Sequence, residues 1–188
     1  MNIAVYLYDN YFETELCIAT LMFKKSKQNI FMISSEQEVI TCVDGKRLLI
    51  DKKISDVDPK DIDVLIIPGG GAIIKNDIVQ LVKTCEKNGA VIGGICAGVD
   101  YIAHAGILSD RKYTGYYEKD KAYDHLPTDG TLTYSMYESD RNVVTARPEA
   151  YLEFALELYH LAGLDVGPVD GYLEWFKSPF CWKGNNEK

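Results

Sequence analysis

Apolar and polar positions fall into two alternating patterns along this chain. Short apolar runs at 2–8 (NIAVYLY), 29–34 (NIFMIS), 63–68 (DVLIIP) and 90–93 predict buried strands. The run at 63–68 shows no polar alternation, as expected of a strand covered on both faces. Between these runs the apolar positions recur at helical spacing. Phe12, Leu16, Ala19 and Phe23 predict a helix over 11–25, and Ile74, Ile78, Leu81, Val82 and Cys85 predict a second. Tyr151, Phe154, Ala155, Leu158 and Leu161 predict another, with Pro148 suited to its first turn. Asp44-Gly45 between the apolar segments 39–42 and 46–50 signals a hairpin. A second hairpin is predicted around Ser139-Asp140-Arg141, joining 131–137 to 143–146.

Strands that alternate with helices predict an α/β fold: a doubly wound parallel sheet sandwiched by helices. Ligand sites in such sheets lie beyond the carboxyl ends of the strands. Two segments sit there, the glycines 69–71 and the turn at Cys96. The length, 188 residues, fits a single domain, and no repeat or low-complexity linker divides it. The polar stretch from Arg111 (Arg111, Lys112, then 118–121) reads as an exposed crossing loop. The tail, 167–188, carries Tyr172, Trp175, Phe176, Phe180 and Trp182 and reads as a C-terminal helical extension or a partner contact.

Charge narrows the partners. The formal net charge is −8, which disfavours nucleic acid and anionic membrane surfaces. No apolar run approaches the ~18 residues of a membrane span, and Met1-Asn2 leads directly into a strand. The expectation is a cytoplasmic protein without a signal peptide. The five cysteines, Cys17, Cys42, Cys85, Cys96 and Cys181, contain no C-x-x-C pair. That argues against a disulfide framework or a zinc site, so no metal is expected.

Gly93-Gly94-Ile95-Cys96-Ala97-Gly98 carries the strongest chemical signal. An apolar strand runs into a nucleophile flanked by small residues, and a helix follows through about Leu108. This is the logic of a nucleophile elbow. The helix N-terminus is expected to favour the thiolate and lower the Cys96 pKa, and the backbone amides there can hold an oxyanion. The Pro68-Gly69-Gly70-Gly71 loop could supply further oxyanion donors. It lacks the G-K-[ST] of a phosphate loop and the G-x-G-x-x-G of a dinucleotide fold. Glu15 is expected on the apolar face of the first helix with Ile18, Ala19 and Met22, where it stays protonated beside a thiolate. Glu13 falls on the solvated side. His104, two turns past Cys96, and His160 read as structural, and Asp100 as a solvated or buried-edge residue. His125, in a loop-rich stretch, is the one histidine that could fold back over the elbow.

These motifs together resemble the ThiJ/PfpI superfamily, the class I glutamine amidotransferase-like proteins that include the parkinsonism-associated deglycase. The resemblance rests on Tyr8-Asp9 through Glu15, on 63–71, on Ile95-Cys96-Ala97-Gly98 and on 114–121 (TGYYEKDK), 143–147 (VVTAR) and 152–156, spanning roughly 2–164. It implies a flavodoxin-like sandwich and a homodimer. It also implies a Cys96 nucleophile hydrogen-bonded to Glu15, and oxyanion amides at Gly70 or Gly71 and at Ala97. The family's histidines do not carry over. Ala97 follows the cysteine where peptidase-like members have histidine. Gly115, followed by Tyr116, stands at the deglycase position, and Arg147-Pro148-Glu149 lacks the amidotransferase histidine. The expected function is a cysteine-dependent hydrolase or glyoxalase-like activity on small carbonyl or amide compounds, without a cofactor. Tyr116 and His125 are candidate pocket residues. The alternatives are a redox sensor, with an oxidant acting on Cys96, and a non-catalytic binding member.

Overall fold

In the computed structural model, residues 1–165, Gly167 and Gly171 are described. The expected tail at 167–188, including Cys181, therefore lies almost wholly outside the described residues. The elements run β1 (Asn2–Tyr6), α1 (Cys17–Lys25), β2 (Asn29–Ser34), β3 (Val39–Thr41), β4 (Arg47–Leu49), β5 (Lys52–Lys53) and β6 (Val64–Ile67). There follow α2 (Asn76–Lys87), β7 (Val91–Ile95), α3 (Gly98–His104), β8 (Lys112–Tyr113), β9 (Thr131–Leu132), β10 (Tyr137–Asp140), β11 (Val143–Ala146) and α4 (Tyr151–Leu161).

The main sheet has the order β10-β11-β7-β6-β1-β2-β5, with only β10 antiparallel to its neighbour. Its parallel centre, β2-β1-β6-β7-β11, is the flavodoxin-like order. The chain leaves β1 towards β2 on one side and later returns to β6 on the other, so a crevice opens beyond the ends of β1 and β6. Two glycines show how the layers close on this sheet. A Cβ on Gly93 would lie 2.7 Å from Leu158 Cδ2 of α4, and one on Gly94 would lie 2.6 Å from Ile102 Cδ1 of α3. Successive strand residues face opposite ways, so α4 and α3 cover opposite faces, each too close to β7 for a side chain. α1 packs against α4 and α2 against α3. Strand β6 is fully buried, as its unbroken apolar run requires. The interior is continuous from Ile3 through Phe154 and Tyr159.

The structure corrects three sequence expectations. Residues 11–16 are not part of an α-helix. Tyr11 bridges to Gly70, and Glu13–Glu15 forms a single 3-10 turn ahead of α1. The second hairpin is formed by β10 and β11 alone, because β9 pairs in parallel with β8 instead. Arg111 is buried rather than part of an exposed loop. It donates to Glu86 Oε1 at 2.6 Å and to the Asp140 carbonyl at 2.7 Å. Among the described residues no helix is long and apolar enough to cross a membrane.

Candidate active site at the Cys96 elbow

Cys96 ends β7 with φ +55°, a left-handed conformation that L side chains rarely adopt. Its N–H donates to the Ala146 carbonyl at 2.9 Å, and its own carbonyl accepts from Val99 N–H at 3.2 Å. These bonds hold the strained turn between strand and helix. Gly98 is required for another reason: a Cβ there would lie 2.1 Å from the Ile67 carbonyl oxygen. Only glycine lets the first turn of α3 approach the end of β6. The expected elbow geometry is thus present, although α3 stops at His104 rather than near Leu108.

Glu15 reaches the same point from the other side of the crevice. A short antiparallel staple fixes it there. Phe12 N–H donates to the Gly69 carbonyl at 3.0 Å, and Gly71 N–H donates to the Asn10 carbonyl at 3.1 Å. The β3–β4 hairpin braces this staple through Asn10 N–H to the Thr41 carbonyl and Val43 N–H to the Tyr11 carbonyl. Glu15 is 4% exposed. Its Oε2 accepts the Gly69 N–H at 2.6 Å, and its carboxyl is hydrogen-bonded to the Cys96 thiol. Gly69 completes the contact by having no side chain. A Cβ there would lie 2.8 Å from Cys96 Sγ and 2.9 Å from Glu15 Oε2. The glycine loop had suggested oxyanion donors at Gly70 and Gly71, whereas Gly69 is the residue that contacts both side chains.

Burial pushes the Glu15 carboxyl up to about 7, against the opposing effect of the Gly69 and Cys96 hydrogen bonds. Burial, then the Glu15 charge, push the Cys96 thiol up to about 12, with the Ala97 N–H acting the other way. The expected lowering of the Cys96 pKa is therefore not found. One backbone donor at the start of a seven-residue helix does not outweigh desolvation and a carboxylate in contact. The two groups titrate as a unit. Below about 7 the pair holds two protons, and between about 7 and 12 it holds one.

The expected oxyanion donors separate. Gly71 N–H is committed to the Asn10 carbonyl, which removes it from the set. Among the described residues Gly70 N–H has no acceptor, and Ala97 N–H points at the Cys96 sulfur. Gly70 has φ +139° and carries the bridge to Tyr11, so its backbone conformation is open only to glycine. Tyr8 donates to the Pro68 carbonyl at 2.8 Å, and its ring packs on Tyr6 and Tyr101 beneath the site.

Asp100, on the first turn of α3, was the residue sequence reasoning undervalued. Its carboxylate accepts from Tyr116 Oη at 3.0 Å and Tyr117 Oη at 2.8 Å, and pairs with His125 Nε2 at 2.9 Å. His125 does fold back onto the elbow helix, and its ring stacks on His104, with centroids 5.3 Å apart. Its contact is with Asp100. Glu13, Cys42 and Asp44 form one group of metal-type ligand atoms, all within 4.8 Å of one another. Lys46 Nζ meets both carboxylates, at 2.8 and 2.9 Å, and supplies their counter-charge. A groove of about 440 Å³ beside α1 and β2, lined by Leu16, Leu21, Ile30, Met32 and Leu48, is separate from the Cys96 site.

Comparison with known proteins agrees with this architecture. The DJ-1/PfpI family model matches residues 1–161. The chain is 31% identical over 153 residues to the glutathione-independent glyoxalase DJR-1.2 of Caenorhabditis elegans, covering 78% of this chain and 80% of that one. It is 29% identical over 117 residues to the deglycase PfpI of Pyrococcus furiosus, covering 60% of this chain and 70% of that one. Among solved structures, the DJ-1 superfamily protein Atu0886 of Agrobacterium tumefaciens superposes with a TM-score of 0.84 at 27% identity. That match covers 94% of this chain and 97% of the other. With the family model spanning β1 through α4 and the elbow and crevice both built, the chain belongs to the DJ-1/PfpI family.

Proposed function

We propose that this protein is a cysteine-dependent enzyme that converts small α-oxo aldehydes into hydroxy acids, with Cys96 as nucleophile and Glu15 as its acid–base partner. The observation that carries the reading is the contact between the two: a strained elbow thiol hydrogen-bonded to a buried carboxyl that loses its proton near neutrality. The name of the C. elegans relative supports the substrate class. A base with a pKa near working pH suits repeated proton transfer.

The chemistry needs no external oxidant. Cys96 Sγ adds to the aldehyde carbon, and the carbonyl oxygen takes the proton, giving a hemithioacetal. The Glu15 carboxylate then removes the hydrogen on that carbon. The electron pair forms an enediol with the neighbouring carbonyl carbon, whose oxygen is protonated. Glu15 then takes the hydroxyl proton from the sulfur-bearing carbon and delivers it to the neighbouring carbon, which leaves a thioester on Sγ and a hydroxyl on that neighbour. Water cleaves the thioester, releasing the hydroxy acid and restoring the thiol. One carbon is oxidised and its neighbour reduced, so the sum is addition of water. Gly70 N–H, which has no other acceptor among the described residues, and Ala97 N–H, which lies on the sulfur, are the donors for the developing oxyanion.

The test is lactate formation from methylglyoxal by the wild type, Cys96→Ser and Glu15→Gln. The reading predicts loss of turnover by at least ~100-fold in each variant, the scale of removing a nucleophile or a general base. A wild type that makes no lactate, or variants that match it, would contradict the reading. A second reading, oxidation of Cys96 to a sulfinate by two equivalents of peroxide, each giving one oxygen to the sulfur and leaving as water, is favoured by the Ala97 N–H and a protonated Glu15 as ready donors to the new sulfur oxygens. The homodimer is proposed from family membership, with sedimentation velocity as its test.

A further inference from the structure

Asp100 has a place in the fold that the proposed reaction does not use. Its N–H donates to the Ala97 carbonyl at 3.1 Å, so its carboxylate stands one turn beyond the elbow. Three donors from the segment after β8 converge on it. That segment is also anchored at its start beside the elbow. Thr114 N–H donates to Thr145 Oγ1 at 3.0 Å, and Thr145 precedes the residue whose carbonyl holds Cys96 N–H. A Cβ on Gly115 would lie 2.7 Å from Tyr117 Cε2, so the Tyr117 ring fills the space a side chain at 115 would need. Tyr116 packs on Tyr117 with centroids 5.0 Å apart and is close enough for the Cys96 charge to raise its pKa. Tyr123 packs against Tyr117 at 4.9 Å, edge to face, and its hydroxyl accepts the Glu118 N–H at 3.0 Å.

We propose that Asp100 is a positioning residue whose carboxylate gathers Tyr116, Tyr117 and His125 into a wall beside Cys96, and that this wall sets the size of the compound that reaches the sulfur. The proposal rests on the reading of Cys96 as the nucleophile. Asp100 touches no reacting atom. It acts through the two phenols and the imidazole, which otherwise belong to a loop with no regular structure between β8 and β9. The substrate class admitted is a carbonyl compound of a few heavy atoms. Larger electrophiles are held off by Tyr116, the most exposed of the three at 38%.

The experiment measures Cys96 labelling by two thiol reagents, iodoacetamide and the bulky pyrene maleimide, resolved from exposed Cys17 by peptide mass spectrometry. The readout is the ratio of the two rate constants in the wild type, Asp100→Ala, Tyr116→Phe with Tyr117→Phe, and the triple variant. Loss of the wall raises the ratio for the bulky reagent by about tenfold or more in Asp100→Ala, the scale of a lost steric contact in a pocket. The double phenylalanine variant raises it too, and adding Asp100→Ala adds less than the sum, because the groups act as one unit. A ratio unchanged in Asp100→Ala, with circular dichroism matching the wild type, overturns the proposal alone. Should Asp100→Ala fail to fold, Tyr116→Phe decides: an unchanged ratio there overturns the proposal and a raised one supports it. Cys96 unreactive towards both reagents in every variant overturns the nucleophile reading and the proposal together.

Discussion

Gly69 donates its N–H to Oε2 of Glu15 at 2.6 Å, and the hydrogen at its Cα faces the sulfur that Glu15 also contacts. One residue without a side chain thus orients the carboxyl and leaves room for the thiol. Gly69→Ala should fold, because its backbone is not in the left-handed region. Its methyl displaces Cys96 or Glu15, so Cys96 alkylation and turnover both fall by about 100-fold, the cost of misplacing a reacting group by roughly 1 Å. Rates measured on the purified variant, with its melting temperature as the control for folding, check this.

Glu15 ties the site to the stability of the fold. Its folded value of about 7 lies above the unfolded value of 4.5, so the folded state binds more protons between them. The stability that goes with the neutral carboxyl is fully present below 4.5 and is lost as pH rises through about 7. Glu15→Gln keeps the shape and cannot ionise. It should match the wild type near pH 4 and exceed it at pH 8, by about 3 kcal/mol at most. Urea titrations at the two pH values measure the difference.

The elbow strain is separable from the chemistry. At φ +55° a Cβ is strained, whether the residue is cysteine or alanine. Cys96→Gly should therefore be more stable than Cys96→Ala by about 1 kcal/mol, the lower end of the cost of a non-glycine left-handed residue. Chemical denaturation of the two variants tests it. Equal stability would mean that the turn carries no strain.

Arg111 anchors the start of the segment that leads to the site. Its guanidinium is 6% exposed, and its partner Glu86 is 25% exposed. Arg111→Met leaves the Asp140 carbonyl and the Asn142 side chain without this donor. The expected loss is about 3 kcal/mol, near the low end for a broken buried pair because Glu86 retains access to water. The urea midpoint reports it.

Features set by local sequence were legible, and features set by distant partners were not. The strand-glycine-cysteine-glycine order marks an elbow because the small residues on either side of Cys96 are themselves the local pattern, although the contact that requires Gly98 comes from Ile67 on β6. The uninterrupted apolar run of β6 marks its burial for the same reason. Glu15 meets Cys96 from a 3-10 turn rather than from the helix that its spacing predicts, because the tertiary bridge from Tyr11 to Gly70 overrides the helical spacing that begins at Phe12. Gly71 was assigned to the oxyanion set because a glycine run does not reveal which amide pairs with Asn10. Arg111 looked solvated because its acidic partner lies 25 residues away on α2. Asp100 carried no signal, since its three donors come from a loop without periodicity. The two-residue strands β8 and β9 are too short to leave a pattern, and so the second hairpin was drawn too long.

The central claim is that Cys96 and Glu15 share their protons as one unit. The most direct measurement is the rate of Cys96 alkylation by iodoacetamide from pH 5 to 10, in the wild type and in Glu15→Gln. The wild-type rate should still be climbing at pH 10 without a plateau, because burial and the Glu15 carboxylate push the thiol up to about 12 and the proton lost near 7 is the carboxyl's. In Glu15→Gln the neighbouring charge is gone and only burial still opposes ionisation, so the rise should come at a lower pH than in the wild type. A rise at the same pH in both proteins, or a Cys96 profile no different from that of exposed Cys17, would contradict the account.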